Sequence, residues 1–388
     1  MSESPKDRAV EGKKSALAQY LMMEPVLLAA LFVGAAVAFA AVGGLSRLYH
    51  SQQEALGARW YGRGAADLTA KKYDAAAMEF RTALRYARDN YFYQLGLAEA
   101  LVGLKRVDEA QAYLVNLWDR EPENGQVNLE LARIAAQKGE SEHALRYYHN
   151  AVNAAWPASE ESARRAARVE LIDYLLQIKA NAQAQAELIA LDANLGDDPA
   201  ESSRVGDLFM RAHDYDHALG AYRSSLKKDR GDHTALAGAG RAAFELGEFP
   251  EAVRYLQAAV RSDANDAQSA ATLRTAELAV QLDPFQRQLK AAQRNQIVAR
   301  DFATAGERLK ACGMMAGAAG PVASQPTVGD RWQSMKTRVT ERGLTRDPDL
   351  ADEAMDVVFD VERQAAACGS PQGADEALLL IAKAREGQ

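Results

Sequence analysis

Only two cysteines occur in 388 residues, Cys312 and Cys368. That leaves room for one disulfide and excludes both a disulfide-stapled mini-domain and a four-cysteine zinc site. Aromatic side chains make up 7% of the chain, and few stretches read as strands. Basic charge is not in excess. Forty-six Lys and Arg stand against 53 Asp and Glu, a net charge of −7 that gives no face able to neutralise a run of phosphates, so nucleic acid is not an expected partner. The strings that announce catalysis or cofactor binding are missing too: no Gly-x-Ser-x-Gly elbow, phosphate loop, dinucleotide-binding glycine pattern, haem-attachment string or His-Glu-x-x-His. The sequence therefore calls for no cofactor, metal, small-molecule substrate or enzymatic activity.

What is abundant is alanine, within a chain that is 48% hydrophobic and 26% charged, a balance typical of folded proteins. Alanine is the best helix former and lets helices approach closely, so an all-α fold is expected. The length exceeds a usual single core, which points to several units or one elongated array.

No charged residue lies between Pro25 and Ser46. The stretch is about 20 residues long, enough to cross roughly 30 Å of hydrocarbon as a helix. It lacks the polar stripe of a surface helix, so residues 25–46 read as a single transmembrane helix after a leader, residues 1–24. Ala38-Phe39-Ala40 has the small-x-small form of a signal-peptide cleavage site, and a cleaved signal is the rival reading. The mixed-charge leader is long for one. Lys6, Arg8, Lys13 and Lys14 precede the span and Arg47, Arg59 and Arg63 follow it, a slight basic excess on the amino side. The expected arrangement is a single-pass protein with its amino terminus in the cytoplasm and its bulk on the periplasmic side, where thiols are oxidised.

A period of 34 residues follows. Frames starting at Gly57, Tyr91, Gly125, Arg165, Pro199 and His233 give six units, with one six-residue insertion, Ser159 to Arg164. Position 20 is alanine in all six: Ala76, Ala110, Ala144, Ala184, Ala218 and Ala252. Position 8 is small in five of six: Gly64, Ala98, Ala132, Gly206 and Gly240, with Ile172 the departure. Position 24 carries a large residue: Phe80, Leu114, Tyr148, Leu188, Tyr222 and Leu256. Small residues where two helices cross, with a large one filling the gap between units, are what nested antiparallel pairs require. Acidic residues such as Asp74, Asp108, Asp216 and Glu251 open the second helices, where the helix dipole favours them.

This pattern resembles the tetratricopeptide repeat family. The resemblance covers residues 57 to 266, and residues 267–282 look like the solvating helix that closes such an array, giving an expected domain over 57–282. It implies an α-solenoid whose concave wall, formed by the first helices, binds proteins. The wall positions fall on Tyr61, Phe92, Glu99, Arg133, Gln137, Asp173, Asp207, Arg211, Arg241 and Glu245, with apolar Leu68, Leu129, Val169 and Phe244 among them. The basic carboxylate clamp of chaperone-tail binders is not implied, because Arg133, Arg211 and Arg241 are scattered over three units.

Residues 285–388 lose the period and read as a small helical module. One helix has Val298, Phe302, Ala305, Leu309 and Cys312 on its apolar face, and a Gly- and Ala-rich loop runs from Gly313 to Asp330. A second helix from Pro348 to Cys368 turns Met355, Val358, Val361, Ala365 and Cys368 inward, and a third spans Asp375 to Ala384. Both cysteines stand in an Ala-Cys-Gly string at a helix end, which fits either a bridge or two free thiols. The densest histidine cluster, His213 to His217, falls on the turn of the fifth unit and reads as structural. The expected function is a membrane-anchored interaction scaffold, an assembly factor or accessory subunit of an envelope complex. The alternative is a chaperone-like helper of export or folding at the membrane.

Overall fold

A computed structural model describes residues 5–196, 198–315 and 326–386. They are helical, with no strand among the described residues. The helices are α1 (Pro5–Thr69), α2 (Tyr73–Tyr86), α3 (Tyr91–Gly103), α4 (Val107–Arg120), α5 (Gly125–Lys138) and α6 (Ser141–Asn153). After a 3₁₀ turn at Ala158–Glu160 come α7 (Glu161–Gln177), α8 (Asn181–Asp192), α9 (Pro199–Arg211), α10 (Tyr215–Lys228), α11 (His233–Glu245), α12 (Phe249–Ser262) and α13 (Ala267–Leu282). The last five are α14 (Ala291–Ala311), α15 (Val328–Met335), α16 (Glu341–Arg346), α17 (Asp349–Ala365) and α18 (Ala374–Glu386). The chain forms two compact units, residues 1–167 and 168–388.

In the first unit α1 is continuous. The apolar stretch and the first helix of the first repeat are one 65-residue element, about 98 Å long at 1.5 Å per residue. From Leu28 it is apolar enough to cross a membrane, and none of that window is buried against protein.

Each repeat starts and stops its helices in the same way. Position 34 supplies an Asn or Asp whose side chain caps the following helix in five of the six units, Ala158 of the third being the exception. Asn90 accepts from the Tyr93 N–H at 3.2 Å, Asn124 from Val127 at 3.0 Å, Asp232 from Thr234 at 3.0 Å and Asp266 from Ser269 at 3.0 Å. Position 15 ends each first helix in the left-handed region, at Lys71, Lys105, Gly139, Lys179, His213 and Gly247. The residue after it donates back five residues, as Arg106 N to Leu101 O at 2.9 Å and Asp214 N to Phe209 O at 3.0 Å, satisfying carbonyls the helix leaves unpaired.

All six position-20 alanines have zero exposure, as the nesting of paired helices requires. The position-24 ring or aliphatic group enters a slot between two first helices. Phe80 lies so close to Gly64 and Gly96 that an added Cβ would come within 2.9 and 2.6 Å of its ring. In the second unit Tyr222 lies in the same way against Gly206, where a Cβ would stand 2.7 Å from its ring, and against Gly238, where it would overlap the ring.

The helices after α13 share one core with the end of the array. Phe249, Ala279 and Leu282 belong to the same buried cluster as Val298, Phe302, Leu309, Met355, Val358, Leu378 and Ile381. Residues 316–325 of the expected Gly313–Asp330 loop lie outside the described residues, and α15 already begins at Val328. Neither α15 nor α16 was expected. Trp332 of α15 stacks on Phe302 with centroids 5.3 Å apart and donates from Nε1 to the Phe302 carbonyl at 2.9 Å. Cys312 and Cys368 are bridged, with Cα atoms 5.8 Å apart, inside the usual range. One expectation fails here: Cys368 is exposed rather than inward. α17 stops at Ala365 and the chain tightens into a 3₁₀ turn, Ala366–Cys368, whose three-residue repeat moves the side chain off the apolar face.

Near the bridge, Glu362 is 1% exposed and neither carboxylate oxygen has a hydrogen-bond partner. It faces Arg308 of α14 and Asp375 of α18. Burial, reinforced by Asp375 and opposed by Arg308, pushes its pKa up to about 8.

Three outcomes follow from this packing. Gly238→Val, which would drive a branched side chain into the Tyr222 ring, should cost about 2–3 kcal/mol in denaturant unfolding. Lys105→Gly, which relieves a left-handed non-glycine residue, should raise stability by about 0.5–1 kcal/mol in the same assay. Because folding favours neutral Glu362, its contribution is complete below its ordinary pKa of 4.5 and is lost as pH rises through about 8. Thermal melts of Glu362→Gln should therefore match wild type at pH 4 and exceed it at pH 8.5, by roughly 2 kcal/mol.

Candidate functional site

The register that buries positions 8, 20 and 24 turns the other face of each first helix outward, and the wall residues stand there. In the first unit, Tyr61 comes from α1, Phe92 and Glu99 from α3, and Arg133 and Gln137 from α5. Tyr61 and Phe92 line one recess of about 590 Å³, together with Tyr91, Leu95, Asn124, Gly125, Gln126, Trp156, Pro157 and Glu160. Phe92 is 63% exposed, against a core in which large apolar groups are covered. Tyr61 is held from behind, stacked on Tyr93 at 5.2 Å and tilted against Phe80 at 5.7 Å.

A polar line runs beside the recess. Gln126 Nε2 donates to Glu99 Oε1 at 3.0 Å and lies 3.5 Å from Glu130 Oε1, and Glu130 pairs with Arg133. Burial raises the Glu99 pKa, opposed by the Gln126 hydrogen bond and the Arg133 charge. The Tyr61 hydroxyl is pushed up as well, first by burial and then by the Glu99 carboxylate. Tyr61, Glu99 and Arg133 are thus brought into one electrostatic neighbourhood. Gln137 stands exposed farther along α5.

In the second unit the charged wall residues find each other. Arg211 of α9 pairs with Asp173 of α7 at 2.6 Å. Asp207 accepts from the Tyr222 hydroxyl at 2.6 Å, and the Arg241 charge acts on the same hydroxyl. Glu245 is exposed at the end of α11, where its charge raises the Tyr215 pKa after burial does. An exposed pair such as Arg211–Asp173 is worth about 0–1 kcal/mol, so exchanging it for contacts to another molecule costs little.

Trp156 and Glu160 line the recess without being wall positions of the repeat, and Gln126 lines it as well. A signal existed for the first. Trp156 occupies position 32 of the third unit, three residues before the six-residue insertion begins, and its indole covers Gly125, where any Cβ would overlap it. Trp156 Nε1 donates to the Ala151 carbonyl at 2.7 Å, which fixes the ring at the rim. The histidines of the fifth unit serve the turn. His217 Nδ1 lies 2.9 Å from Asp214 and its ring stacks on Phe209 at 5.3 Å, while His213 Nδ1 meets the Tyr215 hydroxyl at 2.9 Å. Among the described residues, no three His, Cys, Asp or Glu side chains are grouped to hold a metal ion.

No match was found among curated proteins. A family profile described as Tetratricopeptide repeat matches residues 95–160 and 205–270. Among solved structures, the Pseudomonas aeruginosa PilF protein is 15% identical, covering 57% of this chain and 97% of that chain with a TM-score of 0.42. The C-terminal part of a repeat-containing protein from Cytophaga hutchinsonii is 12% identical over 82% of this chain and 99% of that chain, TM-score 0.44. YrrB, described as having an unusual peptide-binding site, is 14% identical over 50% of this chain and 96% of that chain, TM-score 0.40. Over residues 95–160 and 205–270, within six helix pairs that share buried position-20 alanines, the chain carries repeats of the tetratricopeptide repeat family.

Proposed function

We propose that this protein is a membrane-anchored interaction scaffold that holds a segment of another protein against the first helices of residues 57–282. The carrying observation is Phe92, a large apolar side chain left 63% exposed at the mouth of a recess lined by further aromatic side chains. Exposed apolar surface of this kind marks contact sites. The anchor is residues 25–46. From Leu28 to Leu45 the apolar side chains are exposed around the whole helix, including Phe32 at 77% and Phe39 at 84%, as suits a lipid-facing surface. The amino terminus lies in the cytoplasm and the rest on the periplasmic side, where the Cys312–Cys368 bridge persists. The role is that of an assembly factor or accessory subunit of an envelope complex, with residues 285–388 closing the end of the array.

A photoreactive phenylalanine analogue at Phe92, in the full-length protein in its own membranes, should give one or a few discrete adducts of fixed stoichiometry. The same analogue at Val115, on a second helix, should not. Identical patterns at both positions, or none at 92, would remove groove binding. A broad ladder of clients at 92 would favour the export-helper reading.

A further inference from the structure

We propose that the recess of the first unit selects a cationic side chain, a Lys or Arg beside an apolar residue, on an extended segment of the partner; this rests on the groove reading above. The apolar half of the site is Phe92 with Leu95 and Trp156. The cationic half follows from charge. Among the described residues no Lys or Arg lines the recess, and Glu160 is its one carboxylate. Glu99 stands directly behind Gln126, with that amide its single hydrogen-bond donor, and is close enough to Tyr61 to act on its hydroxyl. Glu54 acts in the same way on Tyr93, the ring beneath Tyr61. One carboxylate therefore lines the recess and two more act on the hydroxyls of its stacked tyrosines.

The positive groups nearby are already engaged. The helix ends of α3 and α5 at the recess each carry about half a charge, and Asn90 and Asn124 already use part of it by accepting from Tyr93 and Val127 N–H. Arg133 is engaged by Glu130. Arg120 stands over the Tyr91 ring at 5.6 Å, so that ring is already taken by a cation, and Tyr61, Phe92 and Trp156 remain for an incoming one. A cation over such rings, with carboxylates behind them, gains from both the ring quadrupole and the charge.

The test uses the full-length protein in detergent and fluorescent peptides of about ten residues with a central Leu-Lys, Leu-Gln or Leu-Glu. Anisotropy should show Leu-Lys binding about tenfold tighter than Leu-Gln, with Leu-Glu weakest, and the preference should shrink as salt is raised. Glu99→Gln with Glu160→Gln should equalise the three peptides, and Phe92→Ala should weaken all of them, each variant melting as wild type does. If Leu-Gln or Leu-Glu binds as tightly as Leu-Lys, and Phe92→Ala still weakens binding, the cation preference is wrong and the groove stands. If no peptide binds and the Phe92 crosslinks are also absent, both fall.

Discussion

The fold depends on one steric fit, a large side chain from a second helix lodged between two first helices, deepest where the facing positions are glycine. Phe80 between Gly64 and Gly96, and Tyr222 between Gly206 and Gly238, are the clearest cases. Because the knob touches the first helix of its own unit and that of the next, the contact that closes one pair also sets the spacing to its neighbour. The cost of a misfit is steep, since cores packed to crystal-like density have no spare volume. The same fit decides which face of every first helix remains outside, and so places the wall residues.

Much of this was readable from the chain because the constraint is steric and recurs. Alanine at position 20 and a large residue at position 24 announce themselves in any register search. The left-handed position 15 shows its signature only at Gly139 and Gly247, because elsewhere it is lysine at Lys71, Lys105 and Lys179 and histidine at His213. The Asn and Asp caps at position 34 were present in the sequence and passed unread. In the C-terminal region, α15 and α16 have eight and six residues, too few to show a helical period.

The site was half legible. Register alone identified Tyr61 and Phe92, which share a recess. It did not show that Arg211 and Asp173, 38 residues apart, neutralise each other, since that depends on how successive first helices are rotated. Nor did it reveal Trp156, whose place comes from an insertion that interrupts the period. The candidate positions therefore differ in character: an aromatic recess in the first unit, an Arg211–Asp173 ion pair in the second.

The unbroken run of α1 has a mechanical meaning. With no proline, glycine cap or turn between the apolar stretch and the first pair, there is no swivel at that junction. Whatever fixes the tilt of residues 28–46 fixes the attitude of Tyr61 as well, and a pull on the recess is delivered as bending torque on a stiff rod instead of being absorbed by a slack tether.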